Sequence, residues 1–185
     1  GAFVAVLVLF PSCAKAPDAP DPSKDAPGPL VVYAYDSFVA DWGPGPALAA
    51  LYEKRTGRKL ELVSKGDAAQ VLAAAELEKG KPAADVYLGL DGNLAPRAFA
   101  SGVLEAYRPA GAGRVPADLV LDPAWRLTPY DWGAFAVIWD SAKLDRPPAT
   151  LEELADPAYA KKFIAMDPRT STPGLGFAAW TLAVY

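Results

Sequence analysis

Strand-like and helix-like segments alternate through the first half of the chain, and this alternation constrains the fold more than any other feature. Short apolar runs typical of strands lie at 30–35, 59–64 and 84–90. Each is followed by a stretch typical of a helix, at about 46–55, 67–79 and 94–100. Repeated strand–helix units predict a mostly parallel sheet with helices on both faces, so the fold class is α/β. Because run 84–90 is almost continuously apolar, we expect a strand buried on both faces.

Local residues predict where these helices begin and end. Pro46 stands in the first helical turn, where its missing N–H costs little. Gly57 and Gly102 are placed to end helices in the left-handed conformation. Asp67 is placed to cap the helix that follows it.

The second half has a looser pattern. Residues 107–125 are predicted to form a loop, and the apolar runs 135–139 and 163–166 are predicted to be strands. The segment 150–153 has the sequence of a capping box that opens a short helix. A last apolar run at 175–185 predicts a final helix.

The N-terminus is typical of a targeting segment. Residues 2–10 form an apolar run too short to span a bilayer, and we interpret residues 1–12 as the remnant of a signal peptide. The only cysteine, Cys13, follows directly and is predicted to be lipidated, although Phe10 and Pro11 depart from the usual lipoprotein cleavage box. Ordinary secretion with an incidental cysteine is the alternative. The Pro- and Ala-rich segment 13–29 predicts an extended tether.

Composition excludes several classes of function. Hydrophobic residues make up 52% of the 185 residues and charged residues 22%, which is typical of a globular protein. The net charge of −4 provides no basic surface for nucleic acid, and it weakly favours a cationic ligand. The chain has no histidine, so a catalytic triad or metal site that needs imidazole is excluded.

The segment 167–174 combines an arginine, hydroxyl side chains and turn residues directly before an apolar run. This composition predicts a loop that leads into a helix N-terminus. Unpaired N–H groups and the helix dipole favour an anion or an oxygen-rich ligand there. A helix cap without any ligand is the alternative interpretation.

Four segments together resemble one protein family. They are 33–46 (YAYDSFVADWGPGP), 84–94 (ADVYLGLDGNL), 129–137 (PYDWGAFAV) and 167–176 (DPRTSTPGLG). In this order they resemble the periplasmic thiamine-binding proteins of bacterial ABC importers. The resemblance covers nearly all of the chain from Leu30 onwards.

The resemblance implies a two-lobed, periplasmic-binding-protein-like fold (type 2) with mostly parallel sheets and a ligand between the lobes. Residues 30–128 would form lobe one. Residues 129–185 would contain the hinge crossing and the start of lobe two. The remainder of lobe two has no counterpart in the sequence, so we expect the chain to be truncated in the second lobe.

The candidate ligand-binding residues follow predicted strands, where ligands of open α/β sheets bind. They are Tyr35, Asp36, Trp42, Asp67, Asp91, Ser171 and Thr172. Aromatic faces attract the thiazolium cation of thiamine, and carboxylates add Coulomb attraction. The resemblance implies contacts from the Asp67 loop and from the Ser171–Thr172 pair. Ala68 departs from the family's glycine at that position.

Each candidate also has a purely structural interpretation. Asp67 and Asp91 are both placed to cap a helix, and Trp42 is suited to fill a core. Because Tyr33 and Tyr35 alternate along one strand, one is expected to face the core and the other the cleft.

Other polar residues have structural interpretations too. Asp36 and Asp131 could brace the hinge. Arg169 is expected to pair with Asp167.

These observations predict a binding protein without a cofactor, a metal or catalytic residues. It would be a monomer that captures thiamine or thiamine phosphates outside the cytoplasmic membrane, in the periplasm or at the cell surface. It would deliver them to the permease subunit of an ABC transporter, and a lipid anchor at Cys13 would hold it at the membrane. The alternatives are a receptor for a polyamine or a ferric ion and, with less support, a hydrolase that uses Ser171 or paired aspartates.

Overall fold

The computed structural model describes residues 28–185. The predicted signal-peptide remnant, Cys13 and nearly all of the predicted tether lie outside the described residues. The lobe boundary at 128/129 stays a prediction. No helix in 28–185 has the length and apolar character needed to cross a membrane.

A three-stranded parallel sheet organises the first half of the described chain. It contains β1 (Leu30–Ala34), β2 (Leu60–Ser64) and β3 (Val86–Tyr87), in the order β2-β1-β3. Strand β1 pairs with β2 along its whole length, from Leu30 opposite Leu60 to Ala34 opposite Ser64. The carboxyl ends of the strands therefore meet at one edge of the sheet, and the polar loops that follow them are brought together there.

The described residues form five α-helices, of which all except the short first helix after β1 agree with predicted helices. They are α1 (Asp36–Val39), α2 (Gly45–Thr56), α3 (Ala68–Leu77), α4 (Ala95–Ser101) and α5 (Thr172–Val184). The predicted loop after α4 contains two 3-10 turns, at Ala112–Arg114 and Ala117–Leu119.

The predicted helix boundaries are confirmed by backbone geometry. Gly57 ends α2 at φ 70°, and Gly102 ends α4 at φ 66°, both in the left-handed region that glycine adopts without a steric penalty. Asp67 caps α3 by accepting a hydrogen bond from the Ala69 N–H at 3.3 Å. The Asp67 N–H in turn donates to Oε1 of Gln70 at 2.6 Å, which completes a capping box.

Helix α3 packs on both sides and links the two clusters of the core. Val71 faces the sheet and lies in a cluster with Tyr33. Leu72 packs against α4 in a cluster that contains Leu94 and Ala98. Both Val71 and Leu72 are fully buried, and burial of such a side chain stabilises a fold by about 1.5–3 kcal/mol.

The third strand is much shorter than the predicted run 84–90, and it is not buried on both faces. Strand β3 has two residues, pairs only with β1 within the described chain, and leaves 41% of Val86 exposed. Gly89 explains where the strand stops, because its φ of 104° is not an extended conformation. A Cβ atom at Gly89 would lie 2.4 Å from the ring of Tyr35, so only glycine fits.

The predicted strands at 135–139 and 163–166 are wrong. Neither segment forms a ladder with any residue in the described part of the chain. Both line one mainly apolar cavity of about 700 Å³ instead. An apolar run becomes a strand only when another backbone pairs with its N–H and C=O groups, and no described segment does so here.

The predicted capping box at 150–153 forms only in part. Oγ1 of Thr150 accepts the Glu153 N–H at 3.3 Å. The Glu153 carboxylate does not return to Thr150, because it accepts from the Ala149 N–H and from Arg146. The helix that follows is one 3-10 turn, Glu152–Ala155.

Candidate functional site

A cavity of about 550 Å³ lies at the carboxyl edge of the sheet. Loops after β1, β2 and β3 form one side, the segment 128–133 forms another, and the start of α5 completes it. The chain therefore brings together the regions in which the sequence predicted a site. Of the predicted site residues, those that line this cavity are Tyr35, Asp67, Asp91 and Thr172.

The lining of this cavity is acidic. It contains four carboxylates, from Asp67, Asp91, Asp118 and Asp131, and no lysine or arginine of the described chain lines it. Charges of one sign around a concave surface add to a single potential, which favours a ligand of the opposite sign. The cavity is therefore suited to a cation.

Aromatic side chains occupy the same lining. Tyr35, Tyr130, Trp132 and Phe135 all border the cavity, and Trp132 is 75% exposed. An exposed tryptophan or tyrosine face attracts a cation that stacks over it. Carboxylates and aromatic faces thus offer two kinds of contact to the same charged ligand.

A pair of tyrosines joins the end of β1 to the segment 128–133. The hydroxyls of Tyr35 and Tyr130 lie 2.7 Å apart, and both rings meet Phe38 edge-on. Burial, followed by the hydrogen bond with Tyr35, raises the pKa of Tyr130, so its phenol stays neutral. Tyr33 is buried while Tyr35 lines the cavity, as alternation along a strand predicts.

Asp36 stabilises a neighbouring loop and does not line the cavity. Its carboxylate accepts hydrogen bonds from the Ser64 hydroxyl and, at 3.0 Å, from the Gly66 N–H. The Asp36 N–H donates to the Gly66 carbonyl at 2.8 Å. These contacts hold the β2–α3 loop, so they support a bracing role for Asp36 at that loop instead of the hinge.

Asp67 makes contacts beyond its own helix. Its carboxylate accepts the Thr172 N–H at 3.1 Å and also accepts the Thr172 hydroxyl, although the two residues are 105 positions apart. The side chain that caps α3 thus also holds the first residue of α5. The prediction that Asp67 caps a helix is confirmed, whereas its contact with a ligand stays a prediction, although the residue lines the cavity.

Ser171 is the N-cap of α5. Its Oγ accepts the Gly174 N–H at 3.2 Å and donates to Sδ of Met166 at 3.0 Å. The hydroxyl is therefore used within its own loop, and the cavity is lined by the next two residues, Thr172 and Pro173. The predicted loop before a helix N-terminus is confirmed.

Asp91 forms the predicted cap and lines the cavity, while its predicted contact with a ligand stays a prediction. Its Oδ1 accepts the N–H groups of Asn93 at 3.1 Å and Leu94 at 3.0 Å, which caps the chain just before α4, and the residue also lines the cavity. Trp42 lies outside the lining and is 80% exposed, so the expectation that it fills a core is wrong.

The expected pair of Arg169 with Asp167 is confirmed. Arg169 donates to both carboxylate oxygens of Asp167, with its Nη2 at 2.6 Å from Oδ2. These hydrogen bonds lower the pKa of Asp167. Arg169 therefore has a local partner and does not line the cavity.

Ala68 fits its position in spite of the family's glycine there. It is the first residue of α3, is buried, and packs with Leu72 and Leu94. The alanine methyl therefore adds to the core, and the backbone runs directly into the helix.

The sequence analysis did not identify several residues that line the cavity. Asp118 comes from the 3-10 turn Ala117–Leu119, inside a stretch without periodic signal. Trp132 follows the predicted hinge residue Asp131, and the run Tyr130–Asp131–Trp132 already combined aromatic and acidic groups. That run was the one signal in the sequence for the side of the cavity that the segment 128–133 forms.

Known proteins resemble the chain in sequence and in structure. The thiamine-binding periplasmic protein of Brucella abortus is 42% identical over 168 residues, which cover 89% of this chain and 48% of that protein. The Escherichia coli K12 protein of the same description is 42% identical, with coverage of 84% and 47%. A solved periplasmic thiamin binding protein is 35% identical, with a TM-score of 0.62 and coverage of 84% and 48%.

These comparisons confirm the predicted fold class and the resemblance noted in the sequence. The chain spans about half the length of the curated relatives that it matches. A family model described as bacterial extracellular solute-binding protein matches residues 81–182, which is more than half of the chain. The chain belongs to the family of bacterial extracellular solute-binding proteins.

Proposed function

We propose that the protein is the solute-binding subunit of an ABC importer, and that it captures thiamine or a thiamine phosphate outside the cytoplasmic membrane. The observation that carries this proposal is the cavity at the carboxyl edge of the sheet, with four aspartates, four aromatic residues and no basic residue of the described chain in its lining. The relatives described as thiamine-binding periplasmic proteins support the same ligand.

The chemistry of thiamine matches this lining. Its thiazolium ring carries a permanent positive charge and a flat face, so it can stack on tyrosine or tryptophan while carboxylates surround it. One carboxylate about 4 Å from a unit positive charge contributes on the order of 4 kcal/mol at a surface-like dielectric constant. The aminopyrimidine can donate hydrogen bonds to the remaining carboxylate oxygens.

Capture, and not turnover, is the proposed activity. The hydrolase alternative would need a base beside the Ser171 hydroxyl to take its proton. That hydroxyl donates to the sulfur of Met166 and accepts from the Gly174 N–H, and neither group can act as the base. These contacts support a structural cap at Ser171.

Delivery to a permease follows from the two-lobed family. Ligand binding would bring the lobes together, and the closed form would be presented to the permease subunit.

We place the protein in the periplasm or at the cell surface as a monomer, with a lipid anchor at Cys13. Changing Cys13 to serine should release the protein from the membrane fraction without altering its affinity for thiamine. If the unchanged protein is found in the soluble fraction, the anchor is contradicted.

Isothermal titration calorimetry on the complete gene product tests the proposed ligand. We expect thiamine to bind tightly, and we expect spermidine, as the polyamine alternative, to compete weakly because it lacks an aromatic face.

Asp131→Asn should weaken thiamine binding by about tenfold, because it removes one charge from the lining. Asp145→Asn is the matched control, since this exposed aspartate lies outside the cavity. Absence of thiamine binding would contradict the proposed function.

A further inference from the structure

Met166 is the only methionine among the 185 residues, and its thioether lies where an oxidant can reach it. The residue is 55% exposed and borders the mainly apolar cavity of about 700 Å³. Oxidation of a thioether to a sulfoxide turns a flexible apolar side chain into a polar one. The position of Met166 therefore combines access for an oxidant with apolar surroundings that do not favour a sulfoxide.

The sulfur of Met166 also contacts the N-cap of α5. The Ser171 hydroxyl donates to Sδ of Met166 at 3.0 Å, and the same Oγ accepts the Gly174 N–H at 3.2 Å. Because a serine hydroxyl rotates to suit its partners, the contact with sulfur fixes the direction of this one. An oxygen added to the sulfur on that side would lie between the two atoms. The contact cannot persist in its present form after oxidation.

The first turn of α5 packs on the backbone of the same segment. Gly174 is buried, and a Cβ atom there would lie 2.7 Å from the carbonyl oxygen of Met166 and 3.0 Å from that of Asp167. Pro173, in the same turn, lines both the apolar cavity and the acidic cavity. Since closely packed groups transmit displacements, a shift around Met166 reaches the wall of the acidic cavity.

We propose that Met166 is an oxidation site whose sulfoxide weakens the start of α5 and thereby lowers the affinity for the ligand. A sulfur lone pair attacks one oxygen of hydrogen peroxide, an S–O bond forms, and the O–O bond breaks. The proton of the transferred hydroxyl passes to the departing hydroxide, so the sulfur loses two electrons and the peroxide is reduced to water. The effect on the ligand rests on the proposed function, whereas the oxidation and the weakened cap do not.

Mild treatment of the complete gene product with hydrogen peroxide tests the site. Peptide mass spectrometry should find one added oxygen atom on Met166 while the protein is still folded. Hydrogen exchange at Gly174 and Leu175 should become at least about threefold faster, because the cap that protects these N–H groups is weakened. The affinity for thiamine should fall by about threefold or more. A methionine sulfoxide reductase should reverse both changes.

Met166→Leu is the matched control, because leucine has a similar volume and cannot form a sulfoxide. Peroxide should change neither its exchange at Gly174 and Leu175 nor its affinity for thiamine. Ser171→Ala tests the path through the cap. Without the hydroxyl, oxidation of Met166 should no longer accelerate exchange, because the contact that it breaks is already absent.

The outcomes separate this inference from the proposed function. If the untreated protein does not bind thiamine but oxidation accelerates exchange, the oxidation site is supported and the proposed function is contradicted. The inference is overturned if Met166 resists peroxide in the folded protein, or if exchange stays the same once the sulfoxide has formed. An equal response of Met166→Leu also overturns it. Equal acceleration in Ser171→Ala overturns the path through the cap, and faster exchange with unchanged thiamine affinity overturns the effect on the ligand.

Discussion

Residues 30–102 and residues 129–185 have similar apolar patterns but different structures. The first region forms a paired sheet with helices packed on it, and Val71 and Leu72 are fully buried there. The second region has one long helix, 3-10 turns and two unpaired apolar segments. In those segments Ile138 is 95% exposed and Ile164 is 91% exposed.

The difference shows that an apolar segment forms a strand only where its surroundings offer another backbone to pair with. Leu30–Ala34 became a strand because Leu60–Ser64 and Val86–Tyr87 pair with its backbone on either side. The apolar segments 135–139 and 163–166 have residues of the same kind but no described backbone to pair with. A branched or aromatic side chain favours a pleated surface only when that surface exists.

The two regions nevertheless meet at the proposed site. The Tyr35–Tyr130 hydroxyl contact and the Asp67–Thr172 hydrogen bonds are the polar links between them. These links join the walls of the acidic cavity, whereas the buried residues of the two apolar clusters around α3 all lie in the first region. Stability and ligand specificity are therefore expected to depend on different residues.

The largest difference between the two regions should appear in the free energy of unfolding, when one leucine in each region is changed to alanine. Leu72→Ala removes a fully buried side chain of α3 and should lower the free energy of unfolding by roughly 2–5 kcal/mol. Leu182→Ala, in α5, shortens a side chain that is 82% exposed. It should change the free energy of unfolding by less than about 0.5 kcal/mol. Urea unfolding followed by circular dichroism gives both values. Equal losses would show that the second region contributes to the core as much as the first.

A smaller difference in stability should come from two glycines at which an added Cβ atom would meet an aromatic ring. Gly89→Ala forces a side chain onto a residue at φ 104° and against the ring of Tyr35, and should cost roughly 1–3 kcal/mol of stability. It should also weaken thiamine binding, because Tyr35 lines the cavity.

Gly176→Ala is the counterpart in the second region. The new Cβ would meet the tip of the Phe135 ring, which is 48% exposed and can move aside, while alanine improves helix α5. We expect a change within about 1 kcal/mol, in either direction. Thermal unfolding of the two variants checks this difference, and a larger loss from Gly176→Ala would contradict it.

The smallest effect concerns two aspartate–arginine pairs, one in the segment that connects the two regions and one in the second region. The carboxylate of Asp122 is buried and accepts from the side chain of Arg126 at 2.7 Å, and this bond lowers the pKa of Asp122 to about 2. A lowered pKa stabilises the folded state above the unfolded value near 4, and this stability is lost as the pH falls towards 2. Asp122→Asn should therefore flatten the pH dependence of the urea midpoint between pH 5 and 2.

Asp167→Asn supplies the comparison in the second region. Its partner Arg169 is exposed, and solvent screens such a pair, so the pH profile should stay close to that of the unchanged protein. A profile flattened equally by both variants would show that burial at Asp122 has no influence on the pair.

The sequence by itself predicted the features that depend on neighbouring residues. Glycine ends α2 and α4 at Gly57 and Gly102, because left-handed backbone is open to glycine wherever it occurs. Asp67 caps α3 because a cap needs only the first turn of its own helix. The parallel direction of the strands followed from the alternation of strand-like and helix-like segments, and the family resemblance followed from four separate sequence segments.

Only the tertiary structure decided the features that depend on distant partners. The contact between Asp67 and Thr172 joins residues 105 positions apart, and neither position carries a local mark of the other. Asp118 and Trp132 enter the cavity because loops without periodic pattern are placed there by the elements they connect. The lengths of the strands belong to the same class, since a strand extends only as far as a second backbone lies beside it to accept and donate its hydrogen bonds.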